Sequence, residues 1–138
     1  MKELNILLAE DNRGDVFLVE ESLREHQIKH DLHVVRNGQE ALDYVERMGK
    51  ADDVPCPDLI LLDLNLPKGD GSTVLSEFRH RPECAHVPVI VVTSSDSAKD
   101  RERMTKLGIS YYFRKPTGYE EFMQLGSIVK QVMEQQRA

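Results

Sequence analysis

The chain has 138 residues, 40% of them hydrophobic and 30% charged, with a formal net charge of −6. That length suits one domain with a proper core, and the composition excludes a disordered chain. The acidic balance leaves no basic field for a nucleic-acid backbone, and no apolar run reaches the ~18 residues a membrane span needs.

Taken in order, short apolar runs alternate with amphipathic stretches. "LNILLA" (4–9) reads as the first strand and leads straight into Glu10 and Asp11. Residues 13–26 follow as a helix, with Val16, Val19 and Leu23 on one face. "LHVVR" (32–36) is the second strand, and 38–49 the second helix, faced by Leu42, Val45 and Met48. "GKADDVPCP" (49–57) reads as a surface loop before "LILL" (59–62), a strand that delivers Asp63. Val74, Leu75 and Phe78 mark the third helix, and "VPVIVV" (87–92) the fourth strand, followed by Thr93. The mostly charged "SAKDRERMTKL" (97–107) is the fourth helix, anchored by Met104 and Leu107. "ISYYF" (109–113) is the fifth strand, with Lys115 and Pro116 just beyond it. The last helix carries Phe122, Leu125, Val129 and Val132 on one side.

Five strands alternating with five helices predict an α/β fold whose parallel sheet is covered on both faces, as one domain over 1–138. No repeat, second domain or output module is evident. No signal peptide precedes the first strand, and Cys56 and Cys84 have neither CxxC nor ligand spacing. The expectation is a cytoplasmic protein with two free thiols. The five histidines, His26, His30, His33, His80 and His86, follow no strand-end pattern and read as ordinary surface residues.

Sites in open α/β sheets form outside the carboxyl ends of the strands. Glu10, Asp11, Asp63, Thr93 and Lys115 all fall at such ends. Singly each has an ordinary explanation: a helix-cap pair, a turn aspartate, a strand-end hydroxyl, a surface charge. Together they place three acids, a hydroxyl and a cation at one edge. Clustered carboxylates repel, and a divalent cation with oxygen ligands, Mg²⁺ or alternatively Mn²⁺, resolves the conflict. A carboxylate beside such a cation can attack phosphorus and become an aspartyl phosphate.

The segments "LLAEDN", "PDLILLDLNLPKGDG", "VPVIVVTS" and "YYFRKP" resemble, in order and spacing, the receiver domain of two-component response regulators. The resemblance implies a doubly wound sheet in order 2-1-3-4-5, a flavodoxin-like receiver fold. It implies that Asp63 accepts a phosphoryl group from a histidine kinase in a Mg²⁺-dependent reaction. Asp11, Asp63 and the Asn65 main-chain carbonyl would ligate the metal directly, and Glu10 through a bound water. Thr93 and Lys115 would hold phosphoryl oxygens, and the Lys115–Pro116 peptide would be cis. Thr93 and Tyr112 would form a switch biasing the face of helix four, strand five and helix five. Implied partners are a sensor histidine kinase or phosphotransfer protein, a downstream protein, and a second copy through that face, which would include Met104. "DLNLP", the "TSS" at 93–95 and the 49–57 loop look most like the stand-alone regulators of phytochrome-type kinases. Alternatives are a phosphorylation-independent binding module and an aspartate-nucleophile phosphohydrolase. The phosphohydrolase is disfavoured because its nucleophile would sit on the first strand with an acid two residues on, where this chain has Asn65. A flavodoxin-like carrier is disfavoured by the acidic "EDNRGD" after the first strand.

Overall fold

The computed structural model of the chain describes residues 2–49 and 54–137. Their order is β1 (Leu4–Ala9), α1 (Arg13–Glu25), β2 (His30–Val35), α2 (Gly38–Arg47), β3 (Leu59–Leu62), α3 (Gly71–Arg79), β4 (Val89–Thr93), α4 (Ala98–Lys106), β5 (Tyr111–Arg114), α5 (Tyr119–Phe122) and α6 (Gln124–Arg137). The strands pair in parallel in the order β2-β1-β3-β4-β5. That is the doubly wound receiver fold.

Alternate strand residues feed two cores, as the two-residue period of a strand requires. Leu7, Ala9, Ile60, Leu62, Val89 and Val91 pack with α2, α3 and Met104 of α4. Ile6, Leu8, Leu59, Leu61, Ile90, Val92 and Phe113 pack with α1, α5 and α6 on the other face. A sheet buried on both sides explains why its central strands are apolar without alternation.

The final helical stretch is divided at Met123. The Met123 carbonyl accepts from Ser22 Oγ at 2.8 Å and lies 2.9 Å from His26 Nε2, while the Gly126 amide donates to Ser22 Oγ at 2.8 Å. A serine from α1 thus enters the helical ladder, a recognised cause of breaks. It also gives buried Ser22 its partners.

Two expectations about the loops change. Cys56 and Cys84 form a disulfide, with Cα atoms 5.5 Å apart, and are not free thiols. Their sequence separation of 28 hides the pairing, because sheet topology brings the loop before β3 beside the turn after α3. Cysteine usage therefore no longer argues for a reducing compartment. Residues 50–53 of the predicted 49–57 loop lie outside the described residues, while Val54 bridges to Met48. Among the described residues, no helix is long and apolar enough to cross a membrane.

Candidate functional site

Parallel register sets the site. Ala9 is level with Leu62, and the Asp63 amide donates to the Ala9 carbonyl at 3.0 Å, so Glu10 and Asp63 leave adjacent strands together. Thr93 is level with Arg114, and the Lys115 amide donates to the Thr93 carbonyl at 2.8 Å. Two glycines allow the surrounding loops to close in. A Cβ on Gly71 would stand 2.8 Å from the Asp63 carbonyl oxygen, and one on Gly38 would stand 2.7 Å from that of Lys68. The starts of α3 and α2 can therefore sit against the loop that follows Asp63.

Three of the strand-end residues are buried: Glu10, Asp63 and Thr93. Lys115 Nζ lies 2.7 Å from Glu10 Oε1, 2.8 Å from Asp15 Oδ2 and 2.9 Å from Asp63 Oδ2. Burial pushes the Glu10 carboxyl up to about 7, and hydrogen bonds from Lys115 and the Asn12 amide offset only part of that rise. Burial alone would favour a neutral lysine, but hydrogen bonds to Asp15, Glu10 and Asp63 hold Lys115 above the usual lysine value. The ammonium is therefore charged at neutral pH.

Glu10, Asp11 and Asp63 each offer a carboxylate oxygen, all within 4.8 Å of one another, with Asp11 exposed. An all-oxygen acidic set suits a hard divalent cation. The Asn65 amide donates to Asp63 Oδ1 at 3.0 Å, and its Nδ2 lies 3.5 Å from Thr93 Oγ1. Thr93 Oγ1 also accepts the Ser95 amide at 3.3 Å. The site is a buried carboxylate with an ammonium, a hydroxyl and further acids beside it.

The Lys115–Pro116 peptide is trans, not cis as the resemblance implies. Trans is the lower-energy isomer even before proline, and from it the long lysine side chain already reaches all three acids. Tyr112 is half-buried, its hydroxyl donating to the Ser95 carbonyl at 3.1 Å and its ring 4.3 Å from the Arg101 guanidinium carbon. Phe113 enters the core, as alternation predicts. Met104 is wholly buried, so it contributes nothing to an exposed face; Tyr111 and Tyr119 are the exposed aromatics there.

Sequence reading misses Asp15. It lies in the first turn of α1, where an acid is unremarkable because it suits the helix dipole, and only the folded chain brings it to a lysine 100 residues away. Four of the histidines make contacts outside the strand-end cluster: His26 with the Met123 carbonyl, His30 with Glu20, His33 tilted against Tyr44, and His80 with the Ser76 carbonyl.

The model of the response regulator receiver domain family matches residues 6–126. The chain belongs to this family. Among relatives of this receiver, response regulator Rcp1 of Synechocystis sp. is 37% identical over 120 residues, covering 87% of this chain and 82% of that protein. The phosphorylated cyanobacterial phytochrome response regulator RcpA superposes with a TM-score of 0.83 at 34% identity, covering 94% of this chain and 93% of that one. The Mn²⁺-bound form of Rcp1 superposes with a TM-score of 0.81, also at 34% identity, covering 93% and 92%. The receiver is thus a response-regulator signalling domain whose acids suit a divalent metal.

Proposed function

We propose that Asp63 accepts a phosphoryl group from the phosphohistidine of a sensor kinase or phosphotransfer protein. The observation that carries this reading is the Lys115 ammonium 2.9 Å from a buried strand-end aspartate, beside acids fitted to a divalent cation. In the reaction an Asp63 oxygen attacks phosphorus, the donor's phosphorus–nitrogen bond breaks, and its electron pair returns to the imidazole. Lys115 and Thr93 hold phosphoryl oxygens, supplying charge and hydrogen bonding where negative charge is concentrated. Mg²⁺ is the proposed cation, with Asp11, Asp63 and the Asn65 carbonyl as ligands and Glu10 acting through water. When bound, it would neutralise the clustered acids and the phosphoryl oxygens.

Thr93 and Tyr112 form the proposed switch, supported by their shared contacts with Ser95. The proposed output surface is that of α4, β5 and the final helical stretch (α5 and α6), available to a downstream protein or a second copy. Similarity to Rcp1 and RcpA supports a phytochrome-type kinase as donor. The proposed role is a phosphoacceptor that assists its own transfer, with no metabolic substrate. It acts in the cytoplasm, where a kinase's phosphohistidine is made.

The test is intact mass after incubation with acetyl phosphate, with and without Mg²⁺, on the wild type and Asp63→Asn. One phosphoryl adduct that requires Mg²⁺ and vanishes in Asp63→Asn is expected. Absence of an adduct, together with failure to bind beryllium fluoride, would overturn the reading.

A further inference from the structure

Lys115 Nζ is within 2.9 Å of three carboxylates, and an ammonium has three N–H donors. All its donors are therefore committed. Two of the partners, Glu10 and Asp63, belong to the acid group that fits a divalent cation; Asp15 does not. The backbone of Asp15 is held by its place at the start of α1. Its amide donates to Asn12 Oδ1 at 3.0 Å, the cap that starts α1, and its side chain is 24% exposed.

We infer that Asp15 is a positioning residue for phosphoryl transfer: it keeps the Lys115 ammonium at Asp63 while a divalent cation engages Glu10 and Asp63. The inference rests on the phosphoacceptor reading above. A cation drawn to those two carboxylates competes with Lys115 for them. Asp15 remains as the anchor, and the other two N–H groups turn to the phosphoryl oxygens. Asp15 takes part in no bond change, and Lys115 keeps its proton. Without the anchor, a long lysine side chain has to be ordered during the reaction itself, which slows it.

The experiment compares initial rates of adduct formation from acetyl phosphate at saturating Mg²⁺ in wild type, Asp15→Asn, Lys115→Ala and the double variant. Alongside it, the Lys115 ammonium is followed by ¹⁵N NMR in wild type and Asp15→Asn, before and after Mg²⁺ is added. Asp15→Asn is expected to slow the wild type about tenfold, less than the ~100-fold that outright misplacement can cost. In the Lys115→Ala background it should change the rate by less than about twofold, because its effect passes through the lysine. The ordered ammonium signal should survive Mg²⁺ in wild type and be lost in Asp15→Asn. Equal slowing in both backgrounds, an unchanged rate in Asp15→Asn, or a wild-type ammonium signal lost on adding Mg²⁺ would each overturn the inference. If no wild-type adduct forms at all, the phosphoacceptor reading fails, and the ammonium signal still decides whether Asp15 is the anchor.

Discussion

Thr93 Oγ1 accepts the amide hydrogen of Ser95 at 3.3 Å. The Ser95 carbonyl accepts the Tyr112 hydroxyl at 3.1 Å, and its Oγ donates to Asp100 Oδ2 at 2.6 Å in the first turn of α4. One residue thus joins the Thr93 hydroxyl to Tyr112, its partner in the proposed switch, and to a helix. In the proposed switch, drawing the Thr93 hydroxyl towards Asp63 would take away the Ser95 amide's partner and so disturb the segment that holds Tyr112.

Tyr112→Phe removes one of these hydrogen bonds and keeps the ring over which Arg101 lies. Urea denaturation should show a loss of about 0.5–1.5 kcal/mol. Amide exchange at Ser95 should be faster in the variant before any phosphorylation. A variant with wild-type exchange would separate Tyr112 from the β4–α4 connection.

Glu10 makes metal-free stability depend on pH. Its folded pKa, about 7, lies above the ordinary 4.5, so between those values the folded state holds a proton that the unfolded state releases. Its contribution is most favourable below about pH 4.5 and declines as pH rises through 7. Denaturation in chelator should show Glu10→Gln losing less stability than wild type across that window, by an amount on the order of 1–3 kcal/mol. Mg²⁺ should restore much of the wild-type loss, since it binds the deprotonated carboxylates.

Lys115→Met strands three acids that share one cation. Metal-free stability should fall by about 3 kcal/mol or more, as expected when one partner of a buried ionic cluster is removed. Thermal unfolding should show Mg²⁺ raising Tm further in the variant than in wild type, because the ion then replaces the lost counter-charge.

Reduction of Cys56–Cys84 should destabilise the fold. A separation of 28 residues corresponds to about 3–4 kcal/mol of loop-closure entropy in the chain-entropy model. Denaturation with and without reductant checks this. Cys56→Ser should behave like the reduced wild type and be insensitive to reductant.

The central strands are legible because a sheet buried on both faces needs uninterrupted apolar runs, as "LILL" shows. Strand order was not, since alternation of elements is compatible with several orders; it came from resemblance. Glu10, Asp63, Thr93 and Lys115 could be found because each directly ends or follows an apolar run. Asp15 could not, because it sits in a helix's first turn and its role depends on a contact across the fold. The cysteine pair and the division at Met123 were hidden for the same reason: each depends on partners brought together only by packing. The boundary of β5 also moved, from 109–113 to Tyr111–Arg114, because Ile109 and Ser110 follow the α4 cap, with their amides bonded to Met104 and Val89.

β1 and β3 are neighbours in the middle of the sheet, while β5 lies at its far edge and is the last strand to be synthesised. Pairing of β1 with β3 brings Glu10 and Asp63 together, whereas the ammonium that bonds both is carried on the segment after β5. Until β5 docks, the two acids face each other with no ammonium between them. Docking of the final strand completes both the sheet and the ion pairing of Glu10 and Asp63 with Lys115. The edge strand that closes the sheet is thus also the one that carries the counter-charge for the acids of its centre.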